Sequence, residues 1–258
     1  MVVTLLTCDD GIHSPGLLAA KRASEKFGKV RIYAPLSQQT AVGGKVTFGK
    51  YIRMKETYID GTKAIGINGT PIDAMRLALL GRKLKPDLVV SGINIGEQIG
   101  AVPVFTSGTC AAAYYAAAHK IPSLAVGYKP REEAHKYMEH GPESNVLDLI
   151  PYPSEQLGKI IKDVLENGLR GADFWNINFP SSPTEEIQYV KMVDYGYYTE
   201  DVEIKGSKFK NLGTPEMKGH EVGSDAHFIK NNIVITPCKI NFTDYGSLDK
   251  LLRDKKEK

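Results

Sequence analysis

Short apolar runs alternate with segments of helical periodicity along the first half of the chain. Two of the helices have clear start signals, because Ser14-Pro15 and Thr70-Pro71 each supply an N-cap followed by an N1 proline. The pattern predicts strands at 2–6, 30–34, 88–90 and 123–126, and helices at 14–27, from 70 onward and at 109–119. This βαβ-like order predicts an α/β fold with a doubly wound, mostly parallel sheet.

The second half of the chain is less regular. Residues 129–154 are polar, which predicts a loop or a surface insertion. Further elements are predicted at 156–166 (helix), 175–179 and 233–236 (strands) and 248–253 (helix). Tyr-rich strand and hairpin signals begin at residue 188. We therefore predict a catalytic α/β core at 1–187 and a C-terminal extension at 188–258 that contains a β-hairpin.

Composition narrows the class of protein. Among 258 residues 42% are hydrophobic and 24% charged, and the net charge is +3, which is typical of an ordinary soluble domain. No dense basic stripe for a nucleic acid duplex is visible, and no apolar run approaches the ~20 residues of a membrane span. The three cysteines Cys8, Cys110 and Cys238 are widely spaced, which argues for a reducing compartment. We expect a cytoplasmic protein with no membrane and no duplex partner.

Candidate chemistry lies in three loops, because open α/β sheets bind ligands beyond the carboxyl ends of their strands. The first loop follows strand 2–6 and carries the adjacent carboxylates Asp9 and Asp10, which repel each other if unpaired. A divalent cation would relieve that repulsion, and carboxylate oxygens suit Mg²⁺ or Mn²⁺. The alternative is that one aspartate caps the turn and the other faces solvent.

The second and third loops offer polar groups and glycines. Residues 35–45 include the hydroxyl of Thr40, although an ordinary surface loop is the better interpretation of this segment taken alone. Residues 91–108 are predicted to be a glycine-rich loop, in which Asn94 can give a carbonyl oxygen to a metal. Ser107-Gly108-Thr109 then opens a helix, where free N–H groups favour an anion such as phosphate, and a plain N-cap is the alternative. The loop lacks the Gly-x-Gly-x-x-Gly fingerprint, which argues against an NAD(P) oxidoreductase.

A series of motifs occurs in a specific order along the chain. They are Thr7-x-Asp9-Asp10-Gly11-Ile-x-x-Pro15-Gly16, Ala34-Pro35, Gly69-Thr70-Pro71, Ser91-Gly92-Ile-Asn94-x-Gly96-x-x-x-Gly100, Ser107-Gly108-Thr109, Asn176-Ile-Asn178-x-Pro180 and Ile235-Thr236-Pro237. Together they resemble the SurE (survival protein E) family of 5′/3′-nucleotidases over residues 2–237. The resemblance implies a Rossmann-like core, a metal-dependent phosphomonoesterase, and a homodimer or homotetramer in which the C-terminal hairpin packs between subunits.

The resemblance also implies roles for individual residues. One divalent cation per subunit, Mg²⁺ or Mn²⁺, would be held by Asp9, Asp10, Thr40 and Asn94, where Thr40 stands in place of the family's serine. The catalytic residues would be Asp9, Asp10 and Asn94. The phosphate of a nucleoside monophosphate would be held by Ser107, Gly108 and Thr109. These groups suit metal-assisted hydrolysis, in which the cation polarises a phosphoryl oxygen and fixed N–H dipoles meet the remaining charge.

Several positions depart from the family pattern. They are Cys8 and Gln98 in place of asparagines, Thr106 in place of a tyrosine, and Gly44-Lys45 in place of His-Ser. We expect them to affect substrate preference more than the metal site. They also keep open a different class of function, a non-catalytic protein that binds or senses nucleotides. Turnover separates the two, because a sensor would bind a nucleotide and release no phosphate.

Overall fold

The structure is a computed structural model that describes residues 1–130, 150–195, 199–214 and 221–254. The strands are β1 (Val2–Thr7), β2 (Gly28–Pro35), β3 (Met54–Ile59), β4 (Thr62–Ile67), β5 (Leu88–Ile95), β6 (Ser123–Tyr128), β7 (Phe174–Phe179), β8 (Ile187–Tyr189), β9 (Thr199–Lys205), β10 (Lys208–Thr214) and β11 (Ile233–Cys238). The helices are α1 (Pro15–Ser24), α2 (Pro71–Arg76), α3 (Ala101–Thr106), α4 (Gly108–Ala118), α5 (Pro151–Asn167), α6 (Asp225–Phe228) and α7 (Tyr245–Asp254). A π-helical turn, Leu77–Gly81, continues α2.

The described residues form a nine-stranded sheet in the order β3-β4-β2-β1-β5-β6-β7-β11-β8. The six strands from β4 to β7 in that order are parallel to their neighbours, whereas β3 and β11 pair antiparallel with β4 and β7. Strands β9 and β10 form a separate antiparallel hairpin. The predicted doubly wound α/β fold and C-terminal hairpin are confirmed. The proposed division between residues 187 and 188 stays a prediction, and β11 lies within the main sheet.

Helices cover both faces of the sheet, as the wholly apolar strands require. Neighbouring residues of one strand point to opposite faces, so Leu6 packs in the core beneath α1 and α5 while Leu5 packs beneath α2 and α4. The same alternation separates Val90 from Val89 in β5. Both faces are therefore closed to ligands, which leaves the ends of the strands as the place for a site.

The predicted helix starts are confirmed in atomic detail. The Ser14 hydroxyl accepts a hydrogen bond from Leu17 N at 3.2 Å, which caps α1. Thr70 and Asp73 form a capping box at α2, in which each side chain accepts from the other's backbone N–H, at 3.2 and 3.0 Å. Asp73 also accepts from the backbone N–H and the hydroxyl of Thr47, so this cap holds the loop that precedes β3.

Three sequence-based boundaries need correction. The first helix ends at Ser24 and not at residue 27, because Phe27 N donates to Ser24 O and the chain leaves through a tighter turn. The predicted loop at 91–108 instead contains the end of β5 and the whole of α3. The fifth helix begins at Pro151, five residues earlier than predicted. Most of the predicted insertion, residues 131–149, lies outside the described residues, as do Tyr197 and Tyr198 of the Tyr-rich segment.

No helix in the described residues is long and apolar enough to cross a membrane.

The start of α1 lies directly against the end of β5, and a glycine makes this possible. A Cβ atom on Gly16 would stand 1.8 Å from Ile93 O. We expect Gly16→Ala to lower the free energy of unfolding by about 3 kcal/mol or more, because backbone must move to admit the methyl group. The control is Gly158→Ala in α5, whose Cβ would lie 3.8 Å from its nearest neighbour and which should gain about 0.5–1 kcal/mol from helix propensity. Urea unfolding of both variants tests this, and equal stability of the two would contradict it.

Candidate functional site

The candidate site lies at the carboxyl ends of β1 and β5, which are parallel neighbours in the middle of the sheet. Asp9 and Asp10 follow β1 directly, and Asn94 lies near the end of β5. The amino end of α4 and the loop after β2 close around the same point. Three loops far apart in the sequence thus meet where the sheet topology predicts a ligand site.

Asp9 is buried and is held by the start of α4. Its carboxylate accepts a hydrogen bond from the Thr109 hydroxyl at 2.5 Å and another from Thr109 N at 3.2 Å. The side chain is 4% exposed. A Cβ atom on Gly108 would stand 3.1 Å from Asp9 Oδ2 and 2.9 Å from Val42 Cγ1, so only glycine lets the helix approach this closely. Gly108 and Thr109 therefore define the position of the Asp9 carboxylate.

Asp10 is held from the other side, by β5. Its Oδ2 accepts from Ile95 N at 2.7 Å, and its Oδ1 accepts from Gln38 Nε2 at 3.4 Å. The side chain is partly buried. Both donors are neutral, so they orient the carboxylate without cancelling its charge.

Asn94 reaches the site through an irregularity in β5. The pairing of β5 with β6 shifts register between Ser91 and Asn94, which brings Asn94 opposite Gly127. Gly92 adopts a φ of +128°, and a Cβ there would stand 2.4 Å from Val126 O, so the shift requires a glycine. Asn94 Nδ2 donates to Gly96 O at 2.9 Å. That contact uses the amide's nitrogen and leaves its oxygen as the group that can bind a cation.

The loop after β2 is tied to both other loops. Gln39 N donates to Asp9 O at 2.6 Å, and Gly43 N donates to Thr106 O at 2.8 Å. Thr40 lies between these two anchors and its side chain is exposed. Within the described part of the chain, the Thr40 hydroxyl makes no hydrogen bond. The loop is fixed beside the aspartates, and Thr40 makes no hydrogen bond with them in the described residues.

Ser107 caps α4, since its hydroxyl oxygen accepts from Cys110 N at 3.1 Å. The hydroxyl hydrogen of Ser107 is thereby left to donate. Thr109 differs, because both its hydroxyl and its backbone N–H are used by Asp9. The predicted phosphate-binding turn thus holds one half-buried hydroxyl group and one residue committed to the aspartate.

The electrostatics of the aspartate pair are unusual. Burial raises the pKa of Asp9, despite the hydrogen bonds from Thr109 that oppose the shift. Burial, and then the charge of Asp9, raise the pKa of Asp10 to about 7. The ion pairs of the described residues include neither carboxylate, and their side-chain hydrogen bonds come from neutral donors only. No cationic side chain in the described residues therefore neutralises the pair when its carboxyls are ionised.

This donor set fits a hard divalent cation. Two carboxylates and an amide oxygen are ligands that Mg²⁺ and Mn²⁺ accept, and uncompensated buried charge is what a cation would relieve. In the described residues no group of three or more His, Cys, Asp or Glu side chains could hold a metal. A cation here would therefore depend on the aspartate pair, on neutral oxygens such as that of Asn94, and on water.

The residues that depart from the family pattern have well-defined positions in the structure. Cys8 is fully buried in the core, near Ile93 O and Ser14 Oγ, and burial raises the pKa of its thiol, so it stays protonated at neutral pH. Gln98 is buried within the glycine loop, where its Nε2 donates to Gly96 O at 3.2 Å. Thr106 and Lys45 are exposed. Cys8 thus packs as a small core side chain.

Two sets of residues near the site were given no role there from the sequence, although the Asn176–Asn178 motif contributed to the family resemblance. Asn176 and Asn178 lie on one face of β7 and both donate to Gln98 O, while Asn178 Oδ1 accepts from Gln98 N at 2.7 Å. Two asparagines at alternate positions of a buried strand are a recognisable sequence signal, because buried side-chain amides need hydrogen-bond partners and an apolar strand offers them none. Asp225 accepts from Gly100 N, and no local sequence pattern marks that contact.

Comparisons with known proteins identify the relatives of this chain. The family model described as survival protein SurE matches residues 4–200. A 5′-nucleotidase SurE from Methanocella arvoryzae is 34% identical over an alignment of 263 positions, and the match covers 97% of each chain. One from Methanothermobacter thermautotrophicus is 39% identical over 197 residues, covering 75% of this chain and 74% of that protein. The crystal structure of SurE protein from Aquifex aeolicus superposes with a TM-score of 0.78, at 26% identity, over 98% of this chain and 99% of that one.

The raised pKa of Asp10 predicts how stability depends on pH. The folded-state pKa of about 7 lies above the ~3.9 of an unfolded aspartate, so the folded protein holds more protons between these values. Stability is then greatest below the unfolded pKa and is lost as pH rises through the folded pKa. In a chelator we expect Tm to fall by roughly 5 °C between about pH 5 and about pH 8.

The matched variant is Asp10→Asn, which removes the titrating group and should flatten this dependence. Thermal unfolding followed by circular dichroism measures both proteins. A wild-type Tm that rises over this pH range in chelator would show that the assignment is wrong.

Proposed function

The chain belongs to the survival protein SurE family, and on that premise we propose that it is a 5′-nucleotidase, which hydrolyses nucleoside 5′-monophosphates to nucleoside and phosphate. The observation that carries the proposal is the pair of buried Asp9 and partly buried Asp10, which lies between α4 and β5 with no neutralising side chain. Relatives of similar length bear the name 5′-nucleotidase SurE. Nucleoside 3′-monophosphates are a second substrate class that we propose from the family resemblance alone.

We propose that one divalent cation, Mg²⁺ or Mn²⁺, binds at Asp9, Asp10 and the Asn94 oxygen. Thr40 would be the fourth ligand, because the loop that carries it is tied to Asp9 through Gln39 N. When bound, such a cation supplies positive charge against the phosphoryl oxygens and the attacking group. The chain's own contribution is to hold the two carboxylates in fixed positions before substrate arrives, which Thr109 and Ile95 do through hydrogen bonds.

The phosphate would lie at the amino end of α4. Ser107 has a hydroxyl hydrogen to donate, and the positive end of the helix dipole favours an anion there. Gly108 has no side chain, so the phosphate can approach the backbone. We assign Thr109 an indirect part, because Asp9 already uses both of its donors. The amino end of α4 would thus stabilise negative charge on the phosphoryl group that is transferred.

We also propose a cytoplasmic location. All three cysteines are free and buried, as expected of a protein folded in a reducing compartment.

One face of the β9–β10 hairpin carries exposed apolar side chains that could pair copies of the chain. Ile204 and Phe209 are paired directly across β9 and β10, so they share a face, and both are largely exposed. Val202 lies on that same face two residues from Ile204. The opposite face carries Glu203 opposite Lys210. An apolar face on an isolated two-stranded ribbon needs cover, and we propose that a second copy supplies it in a homodimer or homotetramer.

The nucleotidase proposal is tested by phosphate release. Wild type is incubated with a panel of nucleoside monophosphates in EDTA, Mg²⁺ or Mn²⁺, beside Asp10→Asn. We expect release only with metal, and a loss of roughly 100-fold or more in kcat for Asp10→Asn, since that variant removes a fixed charge from the site. Asp87→Asn is the control, because Asp87 holds Val3 N at the opposite end of the sheet.

Each other result has a definite meaning. Release in EDTA equal to that in Mg²⁺ would rule out the metal-dependent mechanism. Nucleotide binding without release, by folded wild type with either metal, would indicate the nucleotide-sensing alternative instead. Full activity of Asp10→Asn would move the site away from the first loop.

The oligomer proposal is tested by Phe209→Asp. A buried charge at the centre of an interface is strongly unfavourable, so this variant should dissociate to monomers while staying folded. Lys210→Glu, on the other face of the hairpin, should leave the assembly unchanged. Light scattering coupled to size exclusion measures the mass of each, and a monomeric wild type would contradict the proposal.

A further inference from the structure

A buried carboxylate outside the aspartate pair also acts on the site loops. Asp225 begins α6 and is 0% exposed. Its Oδ2 accepts from Gly100 N at 2.9 Å, and its Oδ1 accepts from Val193 N at 3.0 Å and from Ala226 N at 2.8 Å. Gly100 is 125 residues away in sequence, so this contact joins the C-terminal part of the chain to the glycine loop.

The contact holds Gly100 in a restricted position. Gly100 has a φ of +83°, and a Cβ there would stand 2.2 Å from Tyr195 O. The next residue is held as well, because Ala101 N donates to Val193 O at 2.9 Å. Asp225 therefore fixes both Gly100 and Val193, and these two segments also contact each other. The glycine loop cannot move here unless the carboxylate contact breaks.

Gly100 in turn sets the position of the turn at 107–109. It is the N-cap of α3, and Val104 N donates to Gly100 O at 3.2 Å. At the end of this short helix, Ser107 N donates to Pro103 O at 2.9 Å. Ser107 then caps α4, whose Thr109 holds Asp9. A continuous series of hydrogen bonds and one rigid helical turn joins Asp225 to the candidate catalytic centre.

The need for a carboxylate follows from its donors. Two segments approach two different oxygens, and both present N–H groups. An asparagine has only one acceptor oxygen and would turn an NH₂ group toward one of those N–H donors. A buried carboxylate is costly unless it is fully hydrogen-bonded, so three backbone donors account for its place here.

We infer that Asp225 is a positioning residue, which fixes the Ser107–Thr109 turn through Gly100 and α3. The inference rests on the proposed nucleotidase function for its effect on turnover, but its structural half stands on the contacts alone. The prediction is that loss of the carboxylate displaces α3 and Ser107, while Thr109, buried at the start of α4, still holds Asp9, and Asp10 and Asn94 keep their own anchors.

The test compares Asp225→Asn with Asp173→Asn. Asp173 also accepts a backbone N–H, from Ile240 at 2.9 Å, but it lies at the amino end of β7, away from the site. In Asp225→Asn we expect kcat/KM to fall roughly 10- to 100-fold, as for a small misplacement of catalytic groups, with Mn²⁺ affinity within about threefold of wild type. Asp173→Asn should keep wild-type kcat/KM. Wild-type kcat/KM within threefold in folded Asp225→Asn, or a fall matched by lost Mn²⁺ binding, would overturn the inference.

Hydrogen–deuterium exchange provides a readout that does not need turnover. Amides of residues 100–107 should exchange at least about tenfold faster in Asp225→Asn and not in Asp173→Asn. Unchanged exchange would overturn the inference even if wild type is active. If wild type releases no phosphate, the proposed function fails, and exchange alone decides whether Asp225 fixes the turn.

Should Asp225→Asn not fold, Gly100→Ala perturbs the same contact from the other side, since its methyl group would meet Tyr195 O. Full activity and normal exchange in that variant would overturn the inference. A comparable loss of kcat/KM with retained Mn²⁺ binding would support it.

Discussion

Two adjacent carboxylates at the end of a buried parallel strand are the constraint on which the site depends. Burial raises the pKa of both Asp9 and Asp10, and the charge of Asp9 raises the pKa of Asp10 further. The carboxylates are bound by neutral hydrogen-bond donors from α4 and β5 and not by a lysine or arginine. Such an arrangement preserves negative charge for something that binds there, which is why a cation fits better than an ion pair.

The fold provides what this constraint requires. Parallel strands bring their carboxyl ends to one edge, so β1 and β5 deliver their loops to the same point without any long-range pairing signal in the sequence. Close approach then depends on missing side chains. Gly108 lets α4 reach Asp9, Gly92 lets β5 change register, and Gly16 lets α1 begin against Ile93. The motif glycines are thus steric requirements at particular contacts.

The sequence predicted those parts of the fold that local patterns determine. Wholly apolar strands, the caps at Ser14 and Thr70, and the hairpin all have local signals, and all are confirmed. Helix α3 was missed because the glycines before it and Pro103 within it read as a loop, although proline is tolerated in a first helical turn, where N–H groups have no partner. The grouping of Asp9, Asp10 and Asn94 came from the family resemblance, and these residues lie at the ends of the neighbouring strands β1 and β5. The commitment of Thr109 to Asp9 depends on how α4 docks, which no local pattern records.

The glycine loop shows why long-range contacts matter most where local structure is weakest. Residues 96–100 have little regular structure, yet Asn176 and Asn178 hold the Gln98 peptide and Asp225 holds Gly100. Backbone polar groups in a buried loop must find partners, and here side chains of the sheet and of the C-terminal part provide them. Glycine lets the loop approach its neighbours closely but also leaves its backbone free to move. The hydrogen bonds from Asn176, Asn178 and Asp225 remove that freedom. Precision at the candidate site therefore comes from residues distant in sequence that touch neither the aspartate pair nor the phosphate-binding turn.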